Sequence, residues 1–191
     1  MPLVKAFKAT RPTRDKVSLI ASRAYETYSK KEREARLDHN PFSFLHIVNP
    51  GYKYQKEVSG RKRFGLVKNR FQEFKEDGIF NKDDTPSIYI HRIVYRNEEV
   101  FTGLVAKSSC QDYIDGKIKK HEDTILEREK TFSEYLKTVR FNADPVLLTY
   151  PKRDSINQII ERYCSDRSEY EFTTSSRETH YLWLIKDEND I

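Results

Sequence analysis

The 191-residue chain has only two cysteines. Cys110 and Cys164 stand far apart, with no Cys-x-x-Cys and no Cys/His spacing suited to zinc, so they read as reduced, incidental thiols of a cytoplasmic protein. No stretch approaches the ~18 consecutive apolar residues that a membrane helix requires. The opening Met1-Pro-Leu-Val-Lys-Ala-Phe-Lys8 lacks the apolar centre of a signal peptide. Neither secretion nor a membrane partner is therefore expected. Also absent are Gly-x-Gly-x-x-Gly, a P-loop, His-Glu-x-x-His and Gly-x-Ser-x-Gly, which leaves dinucleotide, Walker-type, zinc-protease and serine-hydrolase readings without a motif. There is no internal repeat, no low-complexity segment, and no long tract of one charge beyond Arg61-Lys62-Arg63.

What is present points to a folded domain. Charged residues make up 34% and apolar residues 37%, and 11 Phe with 12 Tyr compensate for the modest aliphatic content. A chain of this length can bury a core that needs no disulfide staples, and residues 1–191 read as a single α+β unit. Thirty-five basic against 30 acidic residues leave a net charge of +5. An excess of that size permits an anionic ligand without demanding nucleic acid.

Along the chain, Leu3 to Ala9 alternates as a short strand closed by Arg11-Pro12. Val17 to Tyr28 shows no clear period, and Tyr25-Glu26 falls in an expected loop. Ser29 and Glu32 have capping-box spacing and open a helix to about Leu37. Phe42 to Val48 reads as a strand stopped by Asn49-Pro50-Gly51, and residues 52–60 as an exposed linker. From Arg61 the apolar positions Phe64, Val67, Phe71 and Phe74 recur at steps of three and four, predicting a helix capped at Asp77-Gly78 whose aromatic stripe packs in the core. Ser87 to Tyr95 and Val100 to Lys107 form the clearest hairpin, with His91 a structural or surface residue. Ile125, Phe132, Leu136 and Val139 mark a helix ending near Arg140; Pro145 to Tyr150 reads as a short buried strand. Asp154 caps a helix carrying Ile156, Ile159, Ile160 and Tyr163 on one face, and residues 169–173 and 179–185 close a second hairpin. The expected architecture is α+β, with a mixed or antiparallel sheet, hairpins and three to four packed helices.

The richest chemistry lies in Asp112 to Thr124. Lys119, Lys120, His121, Glu122, Asp123 and Thr124 bring amines, an imidazole, carboxylates and a hydroxyl together, and Gly116 lets the backbone turn just upstream. Thr124 and Glu127 have capping-box spacing, so a helix is expected to begin at Thr124 with the Lys-Lys-His-Glu group at its positive end, which suits anions. Two readings stay open on residues alone: a phosphate site, or a solvated loop that only caps the helix.

Asp112-Tyr113, Gly116, Ile118-Lys119-Lys120-His121-Glu122 and Thr124 resemble the signature of a bacterial and archaeal family known as domain of unknown function ten-fifteen. Lys5-Ala6-Phe7-Lys8-Ala9 with Arg11-Pro12, Ala21-Ser22-Arg23-Ala24-Tyr25-Glu26, Asn40-Pro41 to Pro50, Thr102-Gly103-Leu104-Val105, Asp144-Pro145 to Tyr150 and His180-Tyr181-Leu182-Trp183 agree in order and spacing. That family is longer than this chain. Its members continue into an Asp-Gly-His-His-Arg segment similar to the phosphate motif of the ParB and sulfiredoxin-like superfamily, which includes free-serine kinases. The chain lacks Gly-His-His-Arg and is expected to be an amino-terminal part. It departs from the family at Phe132 and Tyr135, which stand where an arginine and a histidine are usual and cannot supply a guanidinium or an imidazole.

The resemblance implies a nucleotide-using protein, with ATP or ADP and Mg²⁺ as the cofactors of the full-length protein and phosphoryl transfer to a small hydroxyl substrate as its reaction. In that picture Lys119, Lys120 and Thr124 bind phosphate, Glu122 is a general base or holds Mg²⁺, His121 donates to a phosphate or orients Glu122, and Glu26 is a second carboxylate. No resident metal site is otherwise expected. The alternative is a non-enzymatic regulatory module that meets nucleic acid or protein through a basic face around Arg61 to Arg63.

Overall fold

The structure, a computed structural model, describes residues 2–54, 56, 58–120 and 125–191. Its strands are β1 (Val4–Lys5), β2 (Thr10–Pro12), β3 (Phe80–Lys82), β4 (Ile88–Val94), β5 (Val100–Val105), β6 (Lys107–Ser108), β7 (Tyr170–Thr173) and β8 (Thr179–Ile185). Its α-helices are α1 (Val17–Ile20), α2 (Lys30–His39), α3 (Leu45–Val48), α4 (Gly60–Glu76), α5 (Cys110–Ile114), α6 (Leu126–Val139) and α7 (Asp154–Cys164). The fold is α+β with antiparallel strand pairing. Among the described residues, no helix is long and apolar enough to cross a membrane, and Cys110 and Cys164 are both free.

The described residues group into two compact units. One draws on Met1–Arg14, Lys82–Glu122 and Pro145–Ile191, the other on Asp15–Asn81 and Asp123–Asp144.

The first unit is built on a four-stranded antiparallel sheet in the order β5-β4-β8-β7. β4 is central and rich in β-branched and aromatic residues, which pack well on a pleated surface. It runs in register with β5 from Tyr89↔Val105 to Val94↔Val100, and with β8 from Ile88↔Ile185 to Val94↔Thr179. Period-2 alternation puts Ile88, Ile90, Leu104, Trp183 and Ile185 on one face, where Ile159, Ile160 and Tyr163 of α7 cover them. Burying side chains of this size contributes about 1.5–3 kcal/mol each. The Trp183 indole keeps its N–H bonded by donating to the Asp166 carbonyl at 3.0 Å.

The two hairpins close in the same way. Tyr95 N–H donates to Glu99 O and Thr174 N–H to Glu178 O, both at 2.9 Å, and the last residue of each three-residue loop, Glu98 or Arg177, takes a left-handed φ of 65° or 64°. This is the short-loop solution that matches strand twist.

The second unit is helical. Phe64, Val67, Phe71 and Phe74 on α4 form the forecast stripe and pack with Ile20, Ile47, Phe80, Val139, Tyr135 and Phe141. Ring pairs such as Phe71–Phe141 at 4.1 Å and Phe64–Tyr135 at 5.2 Å knit α4 to α6 and the segment after it. Gly78, at φ 67°, ends α4 as the sequence suggests. A smaller cluster of Tyr28, Leu37 and Leu45 takes Tyr25, Val48 and Tyr52 against it. α2 begins with the forecast capping box: Ser29 Oγ accepts from Glu32 N–H at 3.3 Å, and Glu32 Oε2 accepts from Ser29 N–H at 2.9 Å.

Several elements differ from expectation. The Leu3 to Ala9 strand is broken into β1, a single bridge at Phe7 and β2, and Arg11-Pro12 lies inside β2. Phe42 to Val48 is a turn and the short helix α3. Asn40 Oδ1 accepts from Phe42 N–H and Ser43 Oγ from Leu45 N–H, and these side-chain bonds fold the backbone where apolar content alone suggested a strand. The helical turn sends Ile47 to one cluster and Leu45 to the other. Pro145 to Tyr150 pairs with no strand among the described residues, and Val146 and Leu147 are 82% and 76% exposed. Pro145 and Pro151 bracket it and cannot donate to a ladder. The helix expected from Thr124 is α6, which begins at Leu126 behind Ile125, an aliphatic N-cap residue with no cap bond. α7 holds Asp154 as its first residue, with Arg153 in the N-cap position.

A candidate anion-binding site

The forecast site residues fall in different places. Lys119 and Lys120 lie in the first unit on the exposed segment after α5, with Lys120 Nζ 5.5 Å from the Tyr113 ring centroid. Glu26 lies in the second unit, exposed in the 3-10 turn Tyr25–Thr27. His121, Glu122 and Thr124 lie outside the described residues. Tyr135 is half-buried against Phe64, and Phe132, 43% exposed, stacks beside Tyr135 with ring centroids 6.1 Å apart.

Among the described residues of the segment that begins at Asp112, Asp112 itself is buried and bonded on several sides. It is 4% exposed and accepts from Leu3 N–H at 2.5 Å and from Lys117 Nζ at 2.7 Å. Ser109 Oγ caps α5 by accepting from Asp112 N–H, and Ile118 N–H donates back to Asp112 O at 3.0 Å. The bond from Leu3, reinforced by Lys117, holds the Asp112 carboxyl below its ordinary pKa. Together these bonds tie the segment to Leu3, and Gly116 at φ 72° closes the turn. Asp112 is therefore a clasp for the amino-terminal strand.

A larger feature lies in the second unit, on residues that no motif or run of charge groups together. The 3-10 turn at Tyr25, one face of α2, the end of α3, the loop after Gly51 and the start of α4 enclose a cleft of about 1030 Å³. Lys30, Arg33, Lys53, Lys56 and Arg63 line it, with His46 beside them and two carboxylates, Glu34 and Asp38.

Local chemistry sets each side chain. Arg33 lies over the Tyr25 ring at 4.2 Å, a cation–π contact that orients the guanidinium without neutralising it. Arg63 donates from Nη2 to the Val48 carbonyl at 2.9 Å. The loop carrying Lys53 and Lys56 is closed by Tyr54 and Lys56 N–H groups, both donating to Gly51 O at 3.1 Å. Of the described carboxylates, Asp38 accepts from the Tyr52 hydroxyl at 2.7 Å, and Glu34 faces Lys30 Nζ at 3.9 Å. Among the described residues, Arg33, Lys53, Lys56 and Arg63 have no carboxylate partner within 4 Å.

The titrating groups report the field of this cleft. Burial holds the His46 imidazole below its ordinary pKa, and the charges of Arg70 and Lys53 push it the same way. Its Nε2 lies 3.2 Å from the Asn40 carbonyl, which keeps that nitrogen as an N–H donor. Tyr52 is raised to about 12, first by its bond to Asp38, so it stays a neutral donor. Chemically, the described lining carries more guanidinium and ammonium donors than carboxylates, a set that fits anionic oxygens.

The basic run Arg61-Lys62-Arg63 divides its work. Arg61 meets Glu134 of α6 at 2.8 Å on the surface, and Arg63 turns into the cleft. Among the described residues no cluster of three or more His, Cys, Asp or Glu could hold a metal ion.

The family described as "Protein of unknown function (DUF1015)" matches residues 4–191. No curated protein and no solved structure matches the chain.

Proposed function

The chain belongs to the DUF1015 family, and from its basic cleft we propose that it binds a phosphate-bearing small molecule in the second unit. One observation carries this reading: among the described residues five basic side chains, Lys30, Arg33, Lys53, Lys56 and Arg63, line a single cleft against two carboxylates, Glu34 and Asp38. A charge-assisted hydrogen bond to phosphate contributes about 1.5–3 kcal/mol, so two or three of these donors suffice for a specific ligand.

The resemblance of Lys119-Lys120-His121-Glu122 to the family signature is what supports a nucleotide as the ligand of the full-length protein, with phosphoryl transfer to a small hydroxyl compound as its reaction. His121, Glu122 and Thr124 keep their proposed roles there, as do Lys119, Lys120 and Glu26.

The test is thermal unfolding of the intact chain with ATP, ADP and inorganic pyrophosphate at fixed salt. A ligand at 100 times its Kd stabilises the folded state by about 2.7 kcal/mol, a readily measured shift. A saturable shift with at least one of these compounds is the expected result. No shift with any of them removes the reading.

A further inference from the structure

The first unit has two apolar features without a strand partner among the described residues. One is the edge of its sheet, where β5 pairs with β4 alone. Tyr95 N–H closes the hairpin on Glu99 O, so stepping along the strand in twos gives Phe101, Gly103 and Val105 as the residues bonded to β4. The N–H and C=O groups of Val100, Thr102 and Leu104 therefore point outward, a ready template for another strand. Val100 and Phe101 are 58% and 48% exposed. The other feature is the sequence Val-Leu-Leu-Thr-Tyr at residues 146–150, which is exposed throughout and makes no backbone hydrogen bond among the described residues.

We propose that two copies of this chain pair by reciprocal strand addition, residues 146–150 of each lying antiparallel along the outer edge of the other's β5. One register suits every position. With Leu147 opposite Leu104 and Thr149 opposite Thr102 as the bonded pairs, Val146 faces Val105, Leu148 faces Gly103 and Tyr150 faces Phe101. Aliphatic meets aliphatic, hydroxyl meets hydroxyl and ring meets ring, the cross-strand pairs that stabilise sheets, and Leu148 covers the one position of the edge without a side chain. Pro145 and Pro151 then fall opposite Ala106 and Val100, where the missing N–H ends the ladder.

Charge selects the same direction. Antiparallel addition brings Lys152 to Glu99 and Arg153 to Glu98, all four of them exposed, whereas parallel addition would bring both cations toward Lys107. Arg153 has an extended backbone, φ −131° and ψ 116°, so the strand conformation holds at that point. Lys152 lies 3.8 Å from Asp154 on the surface, a loose contact that leaves it able to turn to Glu99. Arg96, on the same loop as the two glutamates, lines a shallow cavity with Glu178. Donor strand and acceptor edge are carried by one chain and match each other, so the occupant is a second copy, and a closed two-fold pair uses both donors and both edges.

The experiment is sedimentation velocity of the intact chain from about 1 to about 100 µM, the range in which a modest interface associates. A reversible monomer–dimer equilibrium is expected. Lys152→Glu/Arg153→Glu is expected to weaken it at least tenfold, and adding Glu98→Lys/Glu99→Lys to the same chain to restore it to within threefold.

Register is tested by crosslinking with both native thiols removed by Cys110→Ser and Cys164→Ser. Val105 and Val146 form a non-bonded pair, whose Cα atoms lie at about 4.5 Å, within reach of a disulfide. A chain with Val105→Cys mixed with a chain with Val146→Cys is expected to form the interchain disulfide at least tenfold faster than the one-residue slip, Val105→Cys with Leu147→Cys. A monomer at every concentration, growth beyond the dimer, charge reversal that is not rescued, or equal crosslinking in the two mixtures would each overturn the proposal. So would a disulfide closed within one chain carrying both Val105→Cys and Val146→Cys, which would show the strand added to its own sheet.

Discussion

The guanidinium of Arg11 and the carboxylate of Asp83 meet through Nε, which donates to the two carboxylate oxygens at 2.8 and 3.1 Å. Arg11 Nη1 also donates to Glu169 at 2.9 Å and to the Tyr170 hydroxyl at 2.7 Å. Tyr170 in turn donates to the Pro12 carbonyl, and Tyr89 donates to Asp83 at 2.6 Å. Burial opposes the charge on Arg11, but the bonds from Tyr170 and Glu169 and the field of Asp83 outweigh it and raise its pKa. Tyr89 is raised to about 12, by burial first and then by its bond to Asp83. The network anchors the Arg11-Pro12 segment to the edge of the first unit's sheet. Removing Arg11 strands a mostly covered carboxylate, so Arg11→Ala is expected to cost about 2–4 kcal/mol in urea unfolding, discounted from the cost at a fully buried pair. Arg11→Lys, which cannot make the forked contact, is expected to recover less than half of it.

Across β4 and β8, His91 Nε2 lies 3.1 Å from His180 Nδ1. The rings are within 15° of parallel and their centroids are 5.4 Å apart, the separation of two imidazoles laid edge to edge along the N–N line. One ring therefore donates a single N–H to the other, which must be neutral to accept. Burial lowers the pKa of both, with the charge of His180 adding to it at His91. The unfolded chain takes up protons near the ordinary imidazole value of about 6.5 while the folded pair resists. Stability is thus full above that pH and is lost as pH falls through the depressed folded values. The urea midpoint is expected to drop between pH 7.5 and 5, and the drop to shrink in His91→Gln/His180→Gln. His46 has the same sign and accounts for a residual slope.

Glu98 and Arg177 occupy left-handed positions that cost a non-glycine residue about 1–2 kcal/mol. Against the entropic cost of glycine, Glu98→Gly and Arg177→Gly are each expected to stabilise the protein by about 0.5–1 kcal/mol. The two loops border one shallow cavity, so the single variants, each measured by chemical denaturation, are the informative ones. A loss of stability in either single variant would contradict the backbone reading.

Gly51 is fixed by close approach. A Cβ there would sit 2.2 Å from the Lys56 carbonyl oxygen, a backbone atom that cannot swing aside. Gly51→Ala is expected to force the loop outward, costing about 1–3 kcal/mol and abolishing pyrophosphate binding because Lys53 and Lys56 leave the cleft. Retained binding at full affinity would show that the loop is no part of the site.

What could be read in advance depended on periodicity. Phe64, Val67, Phe71 and Phe74, the two hairpins, and the Ile159-Ile160-Tyr163 face of α7 carry their period in consecutive sequence, and each is found where expected. Phe42 to Val48 was not legible because a short, mostly apolar stretch fits a strand or a buried turn equally well until Asn40 and Ser43 bond the backbone. Pro145 to Tyr150 has the composition of a strand, yet it gains none without an open ladder beside it. The cleft was hidden for a different reason. Its cations come from separate elements between residues 30 and 63, interleaved with acids that turn out to be engaged locally, so no run of one charge marks it. The signals that were available, Gly51 after Asn49-Pro50 and an arginine eight residues after Tyr25, gain meaning only once α2 and the loop are folded against each other.

The most direct measurement is the NMR titration of the His46 imidazole with and without inorganic pyrophosphate. Its pKa is low because burial, Arg70 and Lys53 oppose a proton, and an anion bound among those cations reverses the field. The expected result is a clear upward shift of His46, with His91 and His180 unmoved. A His46 curve that does not change at saturating pyrophosphate, or one that moves together with His91 and His180, would contradict an anion site in this cleft.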